Sequence, residues 1–264
     1  MPKISVIVTT YNRPKALALV LHALAEQQFI DFEVIVADDG STKETSQLIK
    51  QLVTPYSIQH IWQEDNGFRA ARARNLAVMA ANGDYLIFLD GDCIPRSDFI
   101  FKHHKLAENG YFIVGNRILL NERFTQQIIQ TAEPVWTWSI KQWLSAYLKG
   151  NINRLSPLLK LPFVRKYCRQ TWKGVKTCNL AIWSKDFQQI NGFDEQFQGW
   201  GHEDADLAVR LLRSGIKRKN GRFAVPVLHL WHVEEEKNQN NVTRLEQILQ
   251  SNTVIAHKGI DQYR

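Results

Sequence analysis

The first third of the chain alternates short unbroken apolar runs with longer stretches whose apolar positions recur at helical spacing. Ile4 to Thr9 is a run suited to a strand buried on both faces. Pro14 opens a helix at its first turn, where proline is tolerated, and Leu17, Val20, Leu21 and Leu24 mark its buried side. Glu33 to Ala37 predicts a second strand, and Ser41 with Glu44 has the form of a capping box for the next helix. Ile58 to Trp62 is weakly strand-like, Arg69 to Ala81 is alanine-rich and helical, and Tyr85 to Leu89 is a further strand running into Asp90-Gly91-Asp92. This order predicts an α/β fold with a largely parallel sheet, which binds ligands at the carboxyl ends of its strands. Three polar clusters, Thr9-Thr10-Tyr11-Asn12-Arg13, Asp38-Asp39-Gly40-Ser41 and Asp90-Gly91-Asp92, are then expected along one edge.

The pattern changes after residue 120. Residues 121–177 carry Trp136, Trp138, Trp143 and Trp172 among lysines and arginines, broken by Pro134, Pro157 and Pro162, and predict helices outside the sheet. Cys178 to Trp183 predicts a returning strand, with Ser184 capping a short helix. Gly192 to Gly201 is a glycine- and aromatic-rich loop, and Glu203 to Arg213 is a helix. Val225 to Leu230 is a late strand delivering His229 and His232, and a peripheral helical tail begins near Asn241. The expected divisions are 1–120, 121–177, 178–238 and 239–264, within one compact catalytic domain.

Composition narrows the class. An apolar fraction of 44% over 264 residues supplies a sizeable core, and eight tryptophans suit burial, sugar stacking or a membrane interface. Three cysteines, Cys93, Cys168 and Cys178, make no disulfide framework and point to a reducing cytoplasm. No apolar run approaches the roughly 20 residues of a membrane span, and the opening segment is too short for a signal peptide. A soluble or peripheral protein is expected. The net charge of +7 is concentrated: between Lys141 and Lys176 there are nine Lys or Arg and no Asp or Glu. That stretch is either a contact with anionic lipid or a solvated basic face whose tryptophans cover the sheet or form a cleft. Nucleic acid is not an expected partner, because the carboxylate clusters elsewhere repel phosphate unless a metal intervenes.

Carboxylates one residue apart at a strand end, Asp90 and Asp92, can hold a hard divalent cation and a ribose hydroxyl, although Asp-Gly is also a common turn dipeptide. Four segments in order carry a resemblance: Ser5 to Pro14, Asp38 to Ser41, Asn66-Gly67-Phe68-Arg69 with Ala73-Arg74-Asn75, and Gly83 to Asp92. Over roughly the first 120 residues the chain resembles the family 2 glycosyltransferases. That resemblance implies a GT-A fold, a nucleotide-sugar donor and inversion at the anomeric carbon.

The second half resembles another group. Asn191-Gly192-Phe193-Asp194-Glu195 and Gly199-Trp200-Gly201-His202-Glu203-Asp204-Ala205-Asp206 are similar to the C-terminal module of β-1,4-galactosyltransferases and bacterial chondroitin-type polymerases. The resemblance implies that a loop with Trp200 and Gly201 closes over donor and acceptor. It makes Asp204 the catalytic base and Glu203 its acceptor-binding neighbour. The family often has a glycine where this chain has His202. His232, followed by Lys237 and Asn238, matches that family's metal-binding histidine, and His229 falls where its best-known members place a methionine ligand.

For Asp204 a case from the residues stands beside the resemblance. An acceptor hydroxyl needs a base to take its proton, which suits Asp204, although acidic residues in a first turn also complement a helix dipole. The resemblance, not the residues alone, implies a metal held by Asp92 and His232, with His229 as a third position left open; such a metal would offset charge on a leaving diphosphate. Nitrogen ligands favour Mn2+ over the alternative, Mg2+. Thr9, Tyr11, Arg13 and Arg69 are expected to frame uracil and ribose with Asp90, and either Asp38 or Asp39 to accept from the uracil ring N–H. Arg72 and Arg74 rank lower, because a helix after a loop often carries solvated arginines. The function the resemblances imply is transfer of a hexose or N-acetylhexosamine, with galactose or N-acetylgalactosamine first by the second-half resemblance alone, from a UDP-sugar to a free or lipid-linked glycan, in surface-polysaccharide or lipooligosaccharide synthesis. The alternatives are a nucleotidyltransferase of similar build, though Thr-Tyr-Asn-Arg stands where a glycine-rich triphosphate loop belongs, and a non-catalytic carbohydrate- or nucleic-acid-binding protein.

Overall fold

The computed structural model of the chain describes residues 2–158, 170–236 and 238–264. Cys168, Pro162, Lys237 and four basic residues of the Trp-rich stretch, Lys160, Arg165, Lys166 and Arg169, lie outside the described residues. Strand β1 (Ile4–Thr10) leads into helix α1 (Pro14–Ala25), then β2 (Phe32–Asp38), α2 (Lys43–Gln51), β3 (Ser57–Trp62), α3 (Ala70–Met79) and β4 (Tyr85–Asp90). These four strands are parallel and ordered β3-β2-β1-β4, with Thr10 opposite Asp38 and Thr9 opposite Asp90. The register places the three polar clusters on one edge of the sheet, as the alternation of elements predicts.

Beyond β4 the chain departs from simple alternation. Strand β5 (Cys93–Pro95), helix α4 (Phe99–Leu106), β6 (Tyr111–Val114) and β7 (Arg117–Leu119) precede two helices outside the sheet, α5 (Glu122–Thr131) and α6 (Ile140–Leu148). Strand β8 (Asn179–Trp183) then returns antiparallel to β4, followed by α7 (Ser184–Gln189), α8 (Glu203–Arg213), β9 (Lys217–Asn220), β10 (Val227–His229) and α9 (Gln239–Gln250). The completed sheet has seven strands in the order β3-β2-β1-β4-β8-β6-β9. A second sheet, β5-β10-β7, sits at the carboxyl end of β4, so Asp92 precedes one of its strands and His229 ends another.

The strands are apolar on both faces because both are covered. Val6 and Val8 point into the core shared with α1 and α4, while Ile7 points into the core shared with α3, α7 and α8. Burying each such side chain contributes roughly 1.5–3 kcal/mol, which holds the strand ends in place. Helix α3 packs through alanines: Ala70, Ala71, Ala73 and Ala77 are all buried.

Several local expectations are corrected. Ser41 does not cap α2; Thr42 flanks that helix without a side-chain cap bond, and the Ser41 hydroxyl accepts the backbone N–H of Asn12 at 2.8 Å instead. Ser41 is used to tie the β1–α1 turn to the β2–α2 turn. Ser184 is the first residue of α7 rather than its cap, and its hydroxyl accepts from Gln188 at 3.2 Å. The late strand is only Val227–His229, because residues before it form a turn against β6 through Gly221 and Val114. The tryptophans of residues 121–177 are not displayed on the surface, which agrees with the second reading of the stretch, in which they act as cover. Trp136 and Trp143 are buried, and Trp138 and Trp172 pack against the cores.

Candidate active site

The three polar clusters and the second-half motifs line one cleft of about 490 Å³. Its nucleotide end is built by the turns after β1 and β2. Asp39 lies on the cleft wall; its carboxylate accepts the backbone N–H of Arg69 at 2.7 Å and a side-chain N–H of Gln63. Burial raises its pKa against these bonds. Gly40 lets the turn pass: its φ is +99°, and a Cβ would meet the Asp65 backbone at 2.5 Å. Tyr11, on the facing side, donates its hydroxyl to Asp65 at 2.9 Å.

Two expected nucleotide residues are turned away from this wall. Asp38 is buried under the turn, where one oxygen accepts the Ser41 N–H and the other pairs with His60, both at 2.8 Å. Burial alone would raise its pKa, but the bonds from His60 and Ser41 outweigh it and the carboxyl is lowered. Arg69 directs its guanidinium to the carbonyl of Glu64 and offers the site only its backbone N–H, through Asp39. Arg13 lies in the cleft, but at the opposite end from Asp39's turn: it donates to Asp92 at 2.7 Å and to the carbonyl of Trp231 at 3.3 Å.

Asp92, His229 and His232 converge. Their ligand atoms all lie within 4.8 Å of one another. His229 Nε2 is 3.7 Å from one Asp92 oxygen, and His232 Nε2 is 3.5 Å from the other. Burial, then Arg117 and His232, push the His229 pKa down to about 3, so this imidazole is neutral at any ordinary pH. The Nδ1 of His232 is 2.7 Å from the Val233 carbonyl, which only accepts. Nδ1 is therefore the protonated nitrogen, and in the neutral ring Nε2 turns a lone pair toward the carboxylate. Acceptor atoms that converge in this way leave a gap suited to a cation. Two ligands of one ion at about 2.1 Å sit roughly 3–3.5 Å apart, close to the observed spacing.

On the far wall α8 begins at Glu203. The loop before it runs through Gly199, Gly201 and His202, all with positive φ. His202 takes φ +77° where a glycine would be unstrained, at a cost of about 1–2 kcal/mol. The loop is held from α9: Asn241 donates to the carbonyls of Gly199 and Gly201, and the Asn238 N–H to that of Trp200. Asp204 is buried in the cleft wall, with Lys176 at 3.6 Å. Burial first, then the charge of Glu203, push its pKa up to about 6.

The residue joining the two walls is Arg74. It donates to Thr9 at 3.0 Å, to Glu203 at 3.0 Å and to Asp90 at 3.2 Å while almost fully buried. Burial disfavours its charge, but Asp90 and Glu203 more than offset that and raise its pKa. Arg74 ranked low in the sequence, yet a signal existed: it lies on the same helical stripe as Ala70, Ala71, Ala77 and Val78, the buried face of α3. Its neighbour Asn75 is also fully buried. The Asn75 side chain donates to the Phe193 carbonyl and accepts the Phe193 N–H, both at 2.9 Å, so the first-half and second-half motifs lock directly. Gly192 is required there, since φ is +70° and a Cβ would stand 2.7 Å from the Asn75 oxygen. Arg117 and Lys176 also line the cleft and were missed. Cys93 and Cys178 are free and buried beside Asp90, and burial holds the Cys93 thiol protonated.

Residues 5–160 match the model of glycosyl transferase family 2. The chain belongs to that family. Residues 162–257 match a second model, described as the N-terminal domain of galactosyltransferase. Among curated relatives, hyaluronan synthase of Pasteurella multocida is 29% identical over 257 residues, 91% of this chain but 25% of the relative. Chondroitin synthase of Escherichia coli is 28% identical over 264 residues, covering 91% of this chain and 36% of the relative. The chain thus spans about a quarter to a third of the length of these two synthases. A crystal structure of GalNAc-T7 with UDP, GalNAc and Mn2+ superposes with a TM-score of 0.65 at 16% identity, over 94% of this chain and 48% of that one. The shared fold is the GT-A fold.

Proposed function

We propose that this glycosyl transferase family 2 chain carries out inverting transfer of a sugar from a UDP-sugar to a hydroxyl of a glycan acceptor, with a divalent cation at Asp92, His229 and His232. The observation that carries the reading is the convergence of three groups able to ligate a metal, two imidazoles and a carboxylate, in the same cleft as a buried carboxylate whose pKa is raised to about 6. Asp39 is the residue suited to accept the uracil N–H, because it alone of the Asp38–Asp39 pair lines the cleft. A cation held by Asp92, His229 and His232 would supply Lewis-acid stabilisation of the departing diphosphate, and the nitrogen ligands favour Mn2+. Arg13 and Arg117, beside the same group, add fixed positive charge where the diphosphate would lie.

Asp204 takes the acceptor proton. A carboxylate with a pKa near 6 is still ionised at neutral pH, yet is a stronger base than an ordinary aspartate. Glu203 is held by Arg74 and oriented to accept a second acceptor hydroxyl, while Trp200 offers an apolar face to a sugar ring. Galactose or N-acetylgalactosamine is the proposed donor sugar, and a surface polysaccharide or lipooligosaccharide the proposed product. The test is a screen of nucleotide sugars for release of nucleoside diphosphate with Mn2+ and with chelator. Metal-stimulated hydrolysis of a UDP-hexose or UDP-N-acetylhexosamine is expected; consumption of nucleoside triphosphates alone would end the proposal.

A further inference from the structure

Helix α6 is amphipathic in an unusual sense. Its inner side buries Trp143 and Ala146 against Trp138 and, through it, Phe124 of α5. Its outer side is apolar as well. Ile140, Leu144, Tyr147 and Leu148 follow the i, i+4, i+7, i+8 spacing of a single stripe roughly 100° wide. All four are exposed, Ile140 at 61% and Leu148 at 77%. A capping box between Ser139 and Gln142 fixes the start of the helix, so the stripe is part of a formed element rather than a frayed end. Exposed apolar residues are ordinary singly, but a contiguous stripe on one helix needs a partner.

The charges beside the stripe identify that partner. Lys141 follows the stripe at its edge and Lys149 lies beyond it, both exposed, and α6 itself carries no acidic residue. In sequence the surrounding segment from Lys141 to Lys176 has nine basic residues and no acidic one, although Lys160, Arg165, Lys166 and Arg169 lie outside the described residues and Lys176 faces Asp204 in the cleft. An apolar stripe edged by lysines matches a bilayer surface with anionic headgroups: side chains enter the acyl boundary and ammonium groups meet phosphates. A second copy of this chain fits worse, because a two-fold contact would set each copy's lysines against the other's.

We infer that the outer face of α6 docks on an anionic lipid bilayer through Ile140, Leu144, Tyr147 and Leu148, with Lys141 and Lys149 at the headgroups. This contact does not use tryptophan, as the lipid reading of the basic stretch did, since Trp143 is used in the core. It does not depend on the transferase reading. It does place the bilayer contact close in the fold to the cleft: the Thr125 hydroxyl of α5 accepts the N–H of Trp231, next to His232, and Ile152, just past α6, bridges Leu120 at the end of β7. An acceptor carried on lipid would meet the enzyme on a surface already anchored there.

The test is co-sedimentation of the full chain with vesicles of phosphatidylcholine alone and of phosphatidylcholine mixed with phosphatidylglycerol, at low and high salt. Wild type is expected to bind the anionic vesicles and to lose binding as salt rises. Leu144→Asp with Leu148→Asp should reduce partitioning at least tenfold, and Lys141→Glu or Lys149→Glu about fivefold each. Val53→Asp, at an exposed site after α2, should bind like wild type. An unchanged thermal midpoint shows that each variant is folded. No wild-type binding to anionic vesicles, or equal binding by the Leu144/Leu148 variant, overturns the inference. So does a lipid-free dimer in sedimentation velocity that dissociates on Leu148→Asp, which assigns the face to a second copy.

Discussion

Replacing Asp204 with Asn should abolish transfer and stabilise the protein at the same time. The carboxyl is almost fully buried, faces the charge of Glu203 and titrates near 6 in the folded chain, against 3.8 for an ordinary aspartate. The folded state therefore holds this proton more tightly than the unfolded state does. Stability contributed by the group is full at pH below about 4 and falls as pH rises through about 6. At pH 7 the ionised side chain costs at most about 3 kcal/mol, since one pKa unit corresponds to about 1.4 kcal/mol. Asparagine keeps the shape and an acceptor oxygen but never ionises. Urea unfolding at pH 7 should show the variant more stable by up to that amount, and at pH 4 the difference should vanish because wild-type Asp204 is then protonated. Transfer should fall by roughly 10²–10⁴ or more, the usual contribution of a positioned base. In wild type, transfer should rise with pH through about 6 as the carboxylate forms. A variant less stable than wild type at pH 7, or equally shifted at both pH values, would refute the idea that burial strains this carboxylate for catalysis.

Arg74→Ala should destabilise the fold by about 3–5 kcal/mol by leaving Asp90 and Glu203 without their shared partner, and Arg74→Lys should recover only part of that. A loss below about 1 kcal/mol in chemical denaturation would mean that solvent, not Arg74, balances the two carboxylates. Asp39→Asn should erase the preference for UDP over other nucleoside diphosphates in calorimetric titration, whereas Asp38→Asn should lower stability and leave that preference intact. The reverse pattern would assign base recognition to the other carboxylate.

The parallel half of the fold was readable because β1, β2 and β4 are apolar on both faces and α1 and α3 show their buried stripes plainly. Strands β5, β6, β7 and β9 were not. They span three or four residues each, and β9 is Lys-Arg-Lys-Asn, which has no apolar alternation at all and forms because β6 offers it an edge. Asp39, Asp92, His229, His232 and Asp204 could be named from motifs. Their meeting in one cleft was expected from the family resemblance alone; the pairing of β5 with β10 that brings Asp92 to His229 leaves no local pattern in the sequence. Arg74 was underrated because a lone arginine on a helix is usually solvated. Its stripe of alanines was the clue that it points inward, to carboxylates that lie 16 and 129 residues away in sequence. Trp143 was left open by the sequence between an interfacial and a covering role; it is a core residue, in a helix whose exposed stripe is aliphatic and Tyr147.

The most direct measurement is calorimetric titration of UDP into the wild-type chain and into the Asp92→Ala and His232→Ala variants, each with Mn2+ and with chelator. The account predicts that wild-type binding strengthens with Mn2+ and that either substitution removes roughly tenfold or more of that gain. UDP binding that is equally tight in chelator, or a Mn2+ effect that survives the loss of both side chains, would contradict it.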